Sequence, residues 1–265
     1  MSGASQMQAD PHSPELDAPE LDSVDLPAGT EVICDLHLDR GLDEPSAALV
    51  RYLDGLESAP RLIVLGDLFD YWVGPAQLSM RGAPRILDAF SRLTARGAHL
   101  DVLLGNRDFL LDRHFVKATG ATLRPNGLIG VGEDGKRTLF VHGDELCTKD
   151  VGYQKLRRVL RSKPVRWLGP RLPFAISRRI AERLRKASRG AVAAKPSEET
   201  AMQQDACESL ARSTRADTLV CGHAHVFRDE RIEADRRWLV LDSFGGKRDS
   251  LRIDARGQWQ VRSAS

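Results

Sequence analysis

Five apolar runs in this chain end in residues of the types that ligate metal ions. Leu62-Ile63-Val64-Leu65 leads into Gly66-Asp67-Leu68-Phe69-Asp70, and Glu31-Val32-Ile33-Cys34 leads into Asp35-Leu36-His37. Leu100 to Leu104 ends in Gly105-Asn106-Arg107-Asp108, and Thr138 to Val141 ends in His142-Gly143-Asp144. Asp217 to Cys221 ends in Gly222-His223-Ala224-His225. Asp35, His37, Asp67, Asn106, His142, His223 and His225 thus offer carboxylate, imidazole and amide oxygen without thiolate. That donor set suits a borderline-hard divalent ion such as Mn, Fe or Zn. Seven donors exceed the needs of one ion. They suit a pair about 4 Å apart sharing a bridging carboxylate, which clamps both sides of a phosphoryl displacement and acidifies the water between. Asp67 is the acid expected between the two. Taken singly, Asp35 is also a turn acid, Asn106 a turn former and His142 a satisfied core histidine. Four of the seven histidines fall at these ends, which argues against coincidence; His12, His99 and His114 do not and receive no role.

Such side chains need strands to aim them. Short β-branched and leucine runs that stop at Gly-Asp, Gly-Asn or Gly-His read as buried strands with functional tips. Helical spacing marks residues 45–58, through Ala48, Leu49, Tyr52, Leu53 and Leu56, and a second helix is expected over 84–95. Strands alternating with helices, with chemistry at the strand C-termini, are the pattern of α/β sheets. Runs at Trp238 to Leu241, Leu251 to Ile253 and Trp259 to Val261 predict a closing antiparallel edge.

The chain has 265 residues, enough for a substantial core, and ordinary hydrophobic (42%) and charged (29%) content. Its net charge of +2 hides an asymmetry. Residues 1–28 carry six acids and no Lys or Arg, without periodicity, and are expected to be a disordered acidic leader. The stretch from Lys155 to Lys195 is crowded with Arg and Lys, with Glu182 its only acid. Charge split this way points to a partner. Cys34, Cys147, Cys207 and Cys221 show no CxxC spacing and predict free thiols in a reduced compartment. No apolar stretch spans a bilayer and no secretory signal opens the chain, so a cytoplasmic protein is expected.

Asp35-x-His37, Gly66-Asp67, Gly105-Asn106-Arg107-Asp108, His142-Gly143-Asp144 and Gly222-His223-Ala224-His225 together resemble the five blocks of the calcineurin-like metallophosphoesterases. The resemblance implies an α/β (α+β) sandwich of two mixed sheets flanked by helices, spanning residues 29–265. It also implies two divalent ions, one on Asp35, His37, Asp67 and His225, the other on Asp67, Asn106, His142 and His223. Asp108 and Asp144 then orient neighbours by hydrogen bonds.

Many members carry Gly-Asn-His in the third block, where the histidine protonates an alkoxide. Arg107 stands there in this chain. A guanidinium cannot serve as that acid, but it binds phosphate bidentately and stabilises developing charge. A leaving group that is already a good anion, such as a phosphate released from a pyrophosphate, fits. The bland alternative is an Arg107–Asp108 ion pair. Gly105 to Leu110, His142 to Thr148 with Asp150, Gly152 and Tyr153, and Gly66 to Trp72 further resemble the UDP-2,3-diacylglucosamine diphosphatase family of lipid A synthesis. That resemblance implies hydrolysis of an acylated UDP-sugar to UMP and 2,3-diacylglucosamine 1-phosphate, with manganese. It assigns catalysis to Asp67, Asn106, Arg107 and His223, and substrate contacts to Asn106, Arg107, Asp150, Ser188, Lys195 and His223. Val192 stands where the family has asparagine, and Leu241-Asp242-Ser243-Phe244 where it has Leu-Gly-Asp-Trp.

Residues 150–195 then form a basic helical lid insert. Trp167, Leu168, Leu172, Pro173, Phe174, Ile176 and Ile180 alternate with Arg166, Arg171, Arg178, Arg179, Arg183, Arg185 and Lys186. Such a segment suits an anionic membrane surface; a solvated helix pair or a nucleic-acid patch is the alternative. Beside the catalytic blocks, membrane contact is favoured, with no nucleic acid and no obligate protein partner expected. The competing functions are a metallophosphoesterase for another nucleotide-linked or lipid diphosphate, and a non-catalytic membrane or nucleic-acid adaptor on the same fold.

Overall fold

A computed structural model describes residues 21–38, 44–79 and 82–264, without the side chains of residues 185, 188, 189, 191–194 and 234. In chain order the strands are β1 (Ser23–Leu26), β2 (Glu31–Ile33), β3 (Arg61–Val64), β4 (His99–Leu103), β5 (Thr122–Arg124) and β6 (Leu128–Gly132). They continue with β7 (Arg137–Phe140), β8 (Thr218–Cys221), β9 (Arg228–Arg231), β10 (Arg237–Val240), β11 (Ser250–Ile253) and β12 (Trp259–Arg262). The helices are α1 (Glu44–Gly55), α2 (Ala83–Ala95), α3 (Arg113–Thr119), α4 (Val151–Leu160), α5 (Lys163–Leu168), α6 (Phe174–Ala194), α7 (Ser197–Thr200) and α8 (Gln204–Ser213).

Two six-stranded mixed sheets result, ordered β1-β6-β7-β8-β10-β9 and β12-β11-β2-β3-β4-β5. Strands β2 to β5 run parallel, as do β7, β8 and β10, so the metal-ligand blocks leave the sheets at carboxyl ends. Period-two alternation explains why these strands are apolar throughout. In β3 and the residue after it, Ile63 and Leu65 enter the layer between the sheets, with Val32, Leu103, Phe140, Val220 and Leu239. Leu62 and Val64 face the other way, against Leu49, Leu53, Phe90 and Phe115 of α1, α2 and α3. Leu219, Cys221 and Trp238 pack outward on Cys207 and Leu210 of α8. The one buried carboxylate in β4, Asp101, is neutralised by Arg61 and by Arg124 at 2.7 Å.

Two expectations are corrected. The leader is not unstructured to residue 28, because Ser23–Leu26 pairs in parallel with β6 and Leu26 is buried. Four residues are too short to show periodicity, and the strand exists only because β6 offers an edge; residues 1–20 lie outside the described residues. The C-terminal strands do not form one closing edge. β10 joins the first sheet beside β8, while β11 and β12 complete the second on β2.

The helices α4 to α6 fall within residues 150–195. Neither α4 nor α5 buries a residue. Asp150 caps α4 by accepting the Tyr153 N–H at 2.8 Å. The short turn Gly169–Arg171 after α5 seats this region on the body, with Gly169 closely packed on Leu110 and Pro170 on Gly74. No helix among the described residues is long and apolar enough to cross a membrane.

Candidate metal centre

Each block puts its ligand just beyond a strand, where backbone hydrogen bonds between adjacent loops fix its place. His37 N–H donates to Asp67 O at 2.9 Å, joining the loops after β2 and β3, and Gly222 N–H donates to His142 O at 3.0 Å, joining those after β7 and β8. Asp108, wholly buried, accepts the Leu68 N–H at 2.7 Å and the Gly105 N–H at 2.8 Å, so it orients its neighbours as expected. Gly66 and Gly105 are required by close approach: a Cβ on Gly66 would lie 2.6 Å from Gly105 N, and one on Gly105 2.1 Å from Asp67 Oδ1.

Seven described non-glycine residues have positive φ, and five of them are Asp35, His37, Asp67, His223 and His225, between 47° and 67°. Left-handed backbone costs a residue with a Cβ roughly 1 kcal/mol or more, and it persists where surrounding structure over-determines it. Here it turns successive side chains inward.

The inward atoms are electron-pair donors. Asp35 is the common member of two groups, Asp35–His37–His225 and Asp35–Asp67–His142, whose ligand atoms lie within 4.8 Å of one another. Asp35 is thus common to both groups, and Asp67, the acid expected between two ions, also faces both, toward His37 and toward His142. His37 Nε2 lies 3.0 Å from His225 Nε2, and His37 Nδ1 lies 3.8 Å from Asp67 Oδ2. His142 Nδ1 is 2.9 Å from the Leu65 carbonyl, which sets the proton on that nitrogen and aims Nε2 at Asp67 Oδ1, 3.7 Å away. Asn106 Oδ1 sits 3.1 Å from the same Nε2. With the amide turned over, its NH2 donates to Asp67 Oδ2 at 2.8 Å and Oδ1 at 3.1 Å, the better arrangement without a metal; a cation at this point would favour the oxygen instead. His223 completes the cluster, its backbone N–H on Asp35 Oδ2 at 2.8 Å and its ring against His142 at 5.1 Å between centroids. Asp35 Oδ1 and His37 Nδ1 are buried without a hydrogen-bond partner, as free ligand atoms would be. The residues therefore fit divalent cations.

The electrostatics agree. Burial opposes the Asp35 charge, yet His225 and His142 hold its carboxyl well below the usual range. Burial, with the like charges of Asp108 and Asp35, pushes Asp67 up to about 7 despite His142 and Arg107. Burial lowers His37 to about 3, assisted by Arg107, and His223 to about 4, assisted by His142. Both rings therefore stay neutral and able to ligate near neutrality. Burial disfavours charge on His142, but Asp67, Asp144 and Asp35 raise it to about 9.

Arg107 stands at the rim. Its Nη1 donates to Asp70 Oδ1 at 2.9 Å, its Nε lies 3.4 Å from Asp67 Oδ2, and its backbone N–H donates to Asp67 Oδ1 at 2.9 Å. The partner is not Asp108, which the Leu68 and Gly105 amides engage. Asp150 and Lys195 are brought together as an ion pair, with Glu199 3.2 Å from Lys195 Nζ. The side chain of Ser188 lies outside the described residues. Sequence reasoning gave Asp144 an orienting role but not its partners: it accepts from Tyr153, Arg157 and Arg161. Their four-residue spacing was visible on α4, but their common target was not.

The family model described as calcineurin-like phosphoesterase matches residues 32–227. A UDP-2,3-diacylglucosamine hydrolase of Aeromonas salmonicida is 40% identical over 200 residues, covering 74% of this chain and 77% of that protein. One of Pseudomonas putida is 34% identical over 236 residues (85% and 95%), and one of Histophilus somni 31% identical over 229 (86% and 97%). With its five ligand blocks inside the matched span, the chain belongs to the calcineurin-like phosphoesterase family.

Proposed function

We infer that this protein hydrolyses the pyrophosphate bond of UDP-2,3-diacylglucosamine, releasing UMP and 2,3-diacylglucosamine 1-phosphate in lipid A synthesis. The observation that carries this reading is the convergence of seven donors from five loops beside a guanidinium where a proton donor would otherwise stand. Relatives bearing the hydrolase name along most of the chain support the substrate.

Two divalent ions, manganese by expectation, would be held by Asp35, His37, Asp67, Asn106, His142, His223 and His225, and would activate water and polarise phosphoryl oxygens. Arg107, oriented by Asp70, binds the phosphoryl oxygens and offsets charge that develops on them. It transfers no proton, and a departing sugar phosphate needs none. Asp150, Ser188 and Lys195 are assigned to the substrate's sugar and phosphate end.

The acyl chains belong to residues 150–195, a lid on the domain. Of the eight large hydrophobic residues exposed among those described, Val151, Leu156, Val159, Trp167, Leu168, Ile176 and Ile180 all lie there. Apolar side chains left in water beside Arg166, Arg178 and Arg179 suit an acylated, anionic ligand and an anionic bilayer. This supports a cytoplasmic enzyme working peripherally on the inner membrane.

The test is UMP release from the acylated UDP-sugar by purified protein with Mn2+. Turnover of a simple activated phosphodiester without UMP release from that sugar would move the assignment to another nucleotide-linked diphosphate.

A further inference from the structure

We propose that Arg161 is a positioning residue that ties α4 to the turn carrying Asn106, so that the insert and the metal-holding loops move as one unit. The proposal rests on the functional reading above only in taking the insert as the part that meets the acyl chains.

The anchor is Asp144, two residues beyond His142 and fully buried. Tyr153, Arg157 and Arg161 recur every four residues, so they share one face of α4 and its C-terminal cap. All three donate to this carboxylate: Tyr153 Oη at 2.6 Å, Arg157 Nε at 2.8 Å and Arg161 Nη2 at 3.1 Å. Two arginines face Asp144 and the neighbouring Glu145, 3.9 Å from Arg157, so the buried charges balance.

Arg161 differs from the other two in what else it reaches. Its Nη2 donates to Leu104 O at 2.9 Å and to Gly105 O at 3.4 Å, and its Nη1 to Pro125 O at 3.2 Å. Gly105 O belongs to the peptide that leads into Asn106, whose amide oxygen is one of the converging donors. The guanidinium therefore touches three loops: the one after β4, the one after β5 and the one after β7. Gly105 is held from its other side by Asp108, through its N–H. The 104–105 peptide is thus held at both ends, its N–H by Asp108 and its C=O by Arg161 at 2.9 Å, and the longer Arg161 bond to Gly105 O at 3.4 Å extends that hold to the peptide leading into Asn106. Nη2 shares its two hydrogens among Leu104 O, Gly105 O and Asp144 while Nη1 reaches Pro125 O, a spread across two nitrogens that a lysine ammonium cannot reproduce. Arg157, by contrast, contacts only the carboxylates. It secures α4 without touching the Asn106 turn.

The full-length protein and Arg161→Met, Arg161→Lys and Arg157→Met would be compared by Mn2+ binding isotherms, thermal melting, and kcat and KM on UDP-2,3-diacylglucosamine. Arg161→Met is expected to weaken Mn2+ binding about tenfold or more, as loss of a group supporting a ligand does. It should lower kcat by about 10–100-fold through misplacement of Asn106, with KM within about twofold of wild type. Arg161→Lys should regain melting temperature but not Mn2+ affinity. Arg157→Met should melt at least as early as Arg161→Met while keeping Mn2+ affinity within about twofold of wild type, since its bonds go to carboxylates alone. Wild-type Mn2+ affinity in Arg161→Met, or equal losses of affinity in Arg157→Met and Arg161→Met, would overturn the proposal and leave Arg161 an ordinary anchor. Should Arg161→Met not fold, Arg161→Lys against Arg157→Met decides by the same isotherms. Should the wild-type protein not turn over the acylated UDP-sugar, the functional reading fails, and the isotherms still decide the role of Arg161.

Discussion

Asp35, Asp67 and His142 at the strand ends are at most 2% exposed and face one another, whereas Val159, Trp167 and Leu168 of the insert are each at least half open to water. Each region does what an isolated fold avoids. The first crowds like charges and left-handed backbone into the interior; the second leaves large apolar surface unburied. Both departures from stability fit the proposed ligands, cations in one region and acyl chains in the other. The two regions also differ in how they are tied to the body. The ligand loops are cross-tied by backbone bonds and by Asp108, while α4 and α5 hold no fully buried residue and attach through Asp144 and the Gly169–Arg171 turn.

The most damaging change should be Asp67→Ala. It removes a carboxylate that faces His37, His142 and Arg107, and activity is expected to fall more than about 10³-fold, beyond the loss from one oxyanion donor. Retention of a tenth of the rate would break the contrast between site and insert. Next comes Arg107→His, expected to lower kcat on the diphosphate about 10²-fold by removing the fork that binds phosphate. A gain on that substrate would refute the leaving-group argument.

Changes on the exposed apolar and basic face of the insert, away from Arg161, should act on binding. Trp167→Ser should raise KM for the acylated substrate about tenfold, the worth of an indole's apolar surface, with kcat unaltered. Arg178→Glu with Arg179→Glu should reduce binding to anionic vesicles several-fold at low salt, and less at high salt, while turnover of a water-soluble diphosphate survives. A kcat effect from either would erase the functional division.

The smallest effect concerns pH in metal-free protein. Folded-state values raised for Asp67 to about 7 and His142 to about 9 mean that the fold binds these protons more tightly than the unfolded chain. Their contribution to stability is therefore complete below the unfolded values and is lost as pH rises through 7 and then 9. The melting temperature should decline over that window, and Asp67→Asn should remove the lower part of the decline.

Much of the site was readable because its geometry is local. A strand tip and its ligand word occupy a few residues, so the apolar runs and the words Asp-x-His, Gly-Asp, Gly-Asn, His-Gly-Asp and Gly-His-Ala-His pointed to the seven side chains that the fold brings near one another. The helices at 84–95 and near 45–58 were found because an amphipathic face repeats within them; α2 buries Ile86, Phe90 and Leu93 on that face. β5, β6 and β9 were missed, and β9 reads Arg-Asp-Glu-Arg, with no apolar pattern at all. It is a strand because β10 pairs with it. Backbone pairing leaves little trace in side-chain order when one face is water.

The sequence by itself determined the chemistry: which donors are present, the missing proton donor at Arg107, the free thiols and the basic, apolar stretch. Those are properties of residue type and short spacing, which survive in any conformation. Only the tertiary structure decided that Asp35 borders both donor groups, that Arg107 pairs with Asp70 and Asp67, that residues 23–26 form a strand and that Arg161 reaches the Asn106 turn. Each depends on segments tens of residues apart meeting in space, and nothing in either segment alone specifies the other.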